Sequence, residues 1–169
     1  MARVLQVVER NKADKGYHFL NYIIDFGFAL LVMWFLILVF VVVKYLITGA
    51  DIEESADEIA NLDPLIDRIG TLLMYAFIMF VTEKISNGRS LGKLITGTKV
   101  VKIDGSALTT DDLLKRNFSR AVPFDQLSFF GNNGWHDNWS DTRVVKLKAY
   151  ELARNMQNDL ESLGVKEKL

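Results

Sequence analysis

A carboxylate inside an apolar helix is the first group in this chain that could do chemistry. Asp25 is the one acidic residue in the run from Phe19 to Thr48, which is otherwise almost wholly apolar. At the centre of a membrane helix a carboxylate costs about 2.5–3.5 kcal/mol, so it is usually paired, shielded or used. Used, it would bind an ion or proton at a helix interface. Otherwise it would be hydrogen-bonded near the membrane boundary and hold helix packing. His18 stands seven residues earlier, two turns away on the same helical face. A histidine has an ordinary pKa of about 6.5. If it shared a water or a third residue with Asp25, the pair would respond to pH. The plainer reading is a histidine exposed at the interface.

A second group of polar residues is His136, Asp137 and Asp141. These are metal-capable types, but their spacing matches no metal signature, so no metal is expected. A polar anchor to Arg116 or Arg120 is the better reading, because charge-assisted pairs fix orientation. The segment GRSLGK resembles a phosphate loop only superficially. Gly88 and Gly92 bracket three residues and Leu94 stands where a magnesium-binding hydroxyl belongs. Glycines 88, 92 and 97 instead suit turns and close backbone approach. Arg89 and Lys93, joined by Arg116 and Arg120 on one helix face, suit a basic patch for anionic lipid headgroups. Trp135 and Trp139, four apart, fit a headgroup-level aromatic belt beside His136. No Ser-His-Asp arrangement, paired catalytic carboxylates or nucleic-acid motif stands out, so no enzyme and no cofactor is expected. Cysteine is absent, which excludes disulfides and thiolate chemistry.

Two apolar runs must position these groups. Phe26 to Val43 is eighteen uncharged residues, enough to span a bilayer. The full stretch 19–48 would be about 45 Å long as a helix, so it tilts or projects at its ends. Its length, and the lysine and polar loop after it, argue for a retained span over a signal peptide. The second span is 65–85, with Pro64 near its start and the charged residues Asp67, Arg68, Glu83 and Lys84 near its ends. Between them lies the loop 49–64, part of a stretch to residue 67 with seven acidic residues and no lysine or arginine. Basic residues gather before the first span and after the second. By the positive-inside rule both termini are cytoplasmic and the acidic loop is outside.

The remainder reads as an N-terminal segment 1–18, a cytoplasmic and interfacial segment 86–147, and an amphipathic C-terminal helix 148–169. Val4, Leu5, Val7 and Val8 suit a short helix lying on the membrane surface. Asp104-Gly105 after a β-branched run is a hairpin-turn signal, and TRVVKL at 142–147 suits a strand pairing with 97–103. Thr110, Asp111 and Asp112 open a helix that ends before Pro123. The segment VPFDQLSFF, broken by Asp125, suits an interfacial or re-entrant piece. The fold class is therefore membrane α-helical: a two-span hairpin with interfacial helices and a small cytoplasmic α+β segment.

HFLNYIID at the first span, GRSLGKLITGTKVV after the second, then RNFSRAVPFDQLSFF and GWHDNWSDTRVV, in that order, resemble the RDD family of bacterial membrane proteins. The likeness covers roughly residues 15–147. It implies that Asp25 and Asp137 are the two signature aspartates, and that the signature arginine falls at position 18, where this chain has His18. It also implies a bacterial inner-membrane location and a role in transport. Two helices cannot enclose a pathway, so transport of a small ligand or cation would require a homo-oligomer or other membrane subunits. The alternative is an accessory or scaffold subunit of a larger membrane complex. Membrane lipids are expected partners and nucleic acid is not.

Overall fold

The structure is a computed structural model, and it describes residues 4–120, 135–162 and 164, leaving the side chains of Trp135 and Glu161 aside. Two long helices dominate it. The first, α2 (Lys15–Thr48), follows the short α1 (Gln6–Arg10). It ends at Gly49, whose φ of 69° gives the left-handed cap that glycine adopts without a Cβ penalty. The second, α4 (Pro64–Ile85), starts with proline in its first turn and is capped by Asp63, which accepts from the N–H groups of Leu65 and Ile66. Both helices are long and apolar enough to cross a membrane. Most of their apolar side chains face outward: Leu31 is 72% exposed and Ile47 78%. The core helix of a water-soluble domain would bury such a stripe. The narrow seam they do share is Ala29 against Tyr75, Ile78 and Met79.

The segment between them is more than a loop. It contains the acidic helix α3 (Ile52–Ala60), which is capped by Asp51 and tied back to the end of α2 by the Lys44–Glu58 ion pair. Lys44, near the end of α2, thus has a carboxylate partner.

The start of α2 and the end of α4 run into a small polar α+β part. This contains α5 (Leu91–Thr96), β1 (Thr98–Lys102), α6 (Thr110–Ser119), α7 (Trp135–Trp139), β2 (Thr142–Lys146) and α8 (Leu147–Ser162). The strands pair antiparallel with Val100 opposite Val144, as the β-branched runs predict. Side chains alternate between faces. Val101 and Val145 pack with Val8 and Tyr150, while Val100 and Val144 pack with Ala13 and, at the margin, Tyr17 and Leu108.

Three expectations need correction. The residues around Val8 do not form a membrane-surface helix: Val8 is fully buried against the sheet, because α1 supplies half of a core that two strands cannot cover alone. The first long helix begins at Lys15, not at residue 19. Asp104-Gly105 turns the chain, with Gly105 at φ 74°, yet makes no hairpin, since β1 pairs with the distant β2. The predicted piece around Asp125, and Leu163 of the final amphipathic helix, lie outside the described residues.

Candidate functional site

Asp25, buried about one turn before the α2–α4 seam residue Ala29, faces the start of α5. Ser90 Oγ donates to its Oδ2 at 2.6 Å and the Gly92 N–H donates to its Oδ1 at 2.7 Å. Ser90 is the N-cap of α5 but makes no cap hydrogen bond of its own; Asp25 takes that place from another helix. This needs the two backbones to touch. A Cβ at Gly92 would lie 2.6 Å from the Asn21 carbonyl oxygen.

Lys93, one residue on, is 2% exposed. Its Nζ donates to Glu83 Oε1 at 2.8 Å and to Ser90 Oγ at 2.9 Å, and it lies 3.8 Å from Asp25 Oδ2. Asp25, Ser90, Lys93 and Glu83 therefore form one continuous chain of polar contacts from α2 to α4. Burial pushes the Lys93 ammonium below its ordinary pKa, opposed by the adjoining Glu83 charge.

Glu83, near the end of α4, is fully buried and gathers donors from α6. Asn117 Nδ2 reaches its Oε2 at 2.8 Å, Arg120 Nη2 its Oε1 at 3.3 Å, and Arg116 Nε lies 3.6 Å from Oε2. Arg116 in turn pairs through Nη1 with Asp137 Oδ1 on α7 and with Thr142 Oγ1 of β2 at 2.8 Å. Ser140 Oγ is 2.7 Å from the same threonine hydroxyl. Burial alone would raise the Asp137 pKa, but the Arg116, His136 and His18 charges outweigh it and hold the carboxyl below its ordinary range. Arg143 stands at the edge and donates to the Asp137 and Thr142 carbonyls.

The network thus joins three carboxylates (Asp25, Glu83, Asp137) to three cations (Lys93, Arg116, Arg120), all nearly or wholly buried. Formal charges cancel, which is how buried charge is tolerated. Beside it lies a cavity of about 30 Å³ whose walls include His18, Asp25, Lys93, Arg116 and His136. That is room for about two waters. Arg116 Nε and Nη2 have no hydrogen-bond partner among the described residues, so water there would have donors to meet.

His18 and Asp25 do share this cavity, because α2 begins early enough to carry both. Asp137 is anchored to Arg116. Lys93, Arg116 and Arg120 are not a lipid-facing patch: they are drawn inward by Glu83, a residue sequence reasoning treated only as a charged helix end. His136 is buried as well, whereas Trp139 is 55% exposed. Arg89 is half-buried, with its Nε buried and unbonded among the described residues. Asp141 stays outside, in a left-handed turn at φ 49° before β2. No group of three metal-ligating side chains occurs among the described residues.

Neither a curated protein nor a solved structure matches the chain. The RDD family model matches residues 16–145, a span that begins just before His18 and closes within β2, enclosing every member of the ion network. On that match the chain belongs to the RDD family.

Proposed function

We propose that this RDD protein is a two-span membrane protein acting as a non-enzymatic subunit of a larger membrane assembly, with the ion network as a structural clasp. The observation that carries the reading is the state of Asp25. Both of its oxygens accept short hydrogen bonds, from a serine and a backbone amide that belong to one capped turn. A site that loads and releases a cation would have to give these up. The outward apolar faces of α2 and α4 suit lipid and neighbouring subunits. The distribution of lysine and arginine supports a cytoplasmic position for both termini, and with it for the polar part.

Transport of a small cation by an oligomer is the second reading. The continuous Asp25–Ser90–Lys93–Glu83 chain beside a water-sized cavity favours it. One experiment separates the two. The full chain is reconstituted in vesicles carrying a pH-sensitive dye, with Asp25→Asn alongside. The clasp reading expects no proton or monovalent-cation flux above empty vesicles. It also expects Asp25→Asn, which removes a member of the buried ion network, to lower stability by about 3 kcal/mol, or roughly 6–12 °C in Tm. Wild-type flux that Asp25→Asn abolishes would overturn it in favour of transport.

A further inference from the structure

A second, larger cleft lies away from the ion network. Its volume is about 630 Å³, in the range of small-ligand sites. One wall is the exit of α4, at Lys84, Asn87 and Gly88; the floor is β1, with Lys99 and Val100; the opposite wall is one face of α8, with Tyr150 and Arg154. Its lining holds three cations, Lys84, Lys99 and Arg154, against the single carboxylate of Glu151.

The cations of this cleft differ from their neighbours. Lys93, Lys102 and Lys146 each have a carboxylate within 4 Å. Among the described residues none of Lys84, Lys99 and Arg154 does. Lys84 rests over the Phe80 ring, 5.6 Å from its centroid, and Arg154 Nη1 meets only the Tyr150 hydroxyl, at 3.4 Å. Both contacts leave positive charge uncompensated. Val100, Leu108, Leu113 and Leu147 add an apolar side to the same cleft. Lys84 is the penultimate residue of α4, so the cleft opens at the level where that helix would leave the hydrocarbon.

We infer that the cleft between the α4 exit, β1 and α8 binds a phosphate-bearing anion, Lys84, Lys99 and Arg154 contacting the phosphate and the apolar side taking the attached glycerol or acyl carbons. Its position favours the headgroup of an anionic membrane lipid; a soluble phosphate ester shares the chemistry. The inference is independent of whether the ion network transports anything.

A lysine or arginine near a membrane surface is worth about fivefold in affinity for anionic lipid, so removing all three is expected to cost about 100-fold. The test uses the full chain in uncharged detergent and measures binding by calorimetry. The probes are short-chain phosphatidylglycerol, short-chain phosphatidylcholine and glycerol 3-phosphate. The expected result is that phosphatidylglycerol binds, that phosphatidylcholine binds far more weakly, and that Lys84→Gln/Lys99→Gln/Arg154→Gln together weaken phosphatidylglycerol binding about 100-fold. The paired control, Lys115→Gln/Lys148→Gln, lies outside the cleft and should leave it intact. Glycerol 3-phosphate binding as tightly as the lipid, and lost in the triple variant, would assign the site to a soluble ester. Should the triple variant lose its helical circular dichroism, Arg154→Gln alone, with an expected fivefold loss, replaces it. Equal affinity for both lipids, or equal loss in the control variant, would overturn the inference.

Discussion

An alanine at position 92 would put its Cβ 2.6 Å from the Asn21 carbonyl oxygen and 2.9 Å from Asp25 Oδ1. Neither α2 nor the capped turn of α5 can retreat without lengthening the hydrogen bonds to Asp25. Gly92→Ala is therefore expected to cost about 1–3 kcal/mol, the range for overpacking, read as a fall in the unfolding midpoint in detergent. Gly16→Ala is the control. Nothing lies within 4 Å of its added Cβ and it sits in a helix, so it should be neutral or slightly stabilising. At this scale the sequence was partly legible. Asp25 stood out because it interrupts an apolar run, and Asp137 because of the family pattern. Glu83 escaped because it sits among charges at a helix end, where a solvated side chain is the ordinary expectation. The rule that flags an ionisable group inside a span applies to Glu83 with equal force, since the span 65–85 and α4 both reach Ile85. Arg116 and Arg120 do share a helix face, as their spacing requires. Spacing alone cannot say whether a charged face meets water or other charges, and here it meets Glu83.

Among the elements, α6 carries the most of the network for its length, holding Arg116 and Asn117, with Arg120 as its C-cap. Its start is fixed by a capping box: Thr109 Oγ1 accepts from the Asp112 N–H at 3.2 Å, and Asp112 Oδ2 accepts from the Thr109 N–H at 2.9 Å. Thr109→Ala removes half of that exchange and should cost about 1 kcal/mol, measured by denaturant titration. Because the network residues lie beyond the first turn, the ion pairs themselves should survive. Local chemistry made this element readable in advance: the threonine and two aspartates, and the proline beyond, bracket it. The two strands were readable for the same reason, as β-branched runs. What local signals could not give was partnership. Asp104-Gly105 has the composition of a hairpin, but β1 pairs with β2, and α1 is taken from the membrane surface into the sheet's core because Val101, Val145 and Tyr150 would otherwise lack cover.

For the whole molecule, the ion network is where two apolar helices are fastened to the polar part, and the fastening is a balance of charge. Asp25 comes from α2, Glu83 from α4, Lys93 from α5, Arg116 and Arg120 from α6 and its cap, and Asp137 from α7. Losing one member leaves its partner buried and uncompensated, which costs about 3–5 kcal/mol in such settings. Asp137 allows the sign of the pH dependence to be worked out. Its carboxyl is held below the ordinary 3.8 in the folded chain. Between the folded and unfolded values the unfolded chain binds more protons, so stability falls as pH falls. The contribution is fully present above the unfolded value and is lost progressively below about pH 4, as the unfolded chain takes up the proton that the folded carboxyl resists. Asp137→Asn cannot take up that proton. It should be less stable than wild type by about 3 kcal/mol at pH 7, and the gap should narrow as pH is lowered through the acid range, because wild type loses there what the variant never had. Unfolding midpoints of both proteins between about pH 7 and pH 3, in the same uncharged detergent, measure the gap directly. A gap that stays constant across that range would mean that Arg116 is compensated by Glu83 alone, and that α7 is held to the rest by Thr142 and the strand pairing instead of by charge.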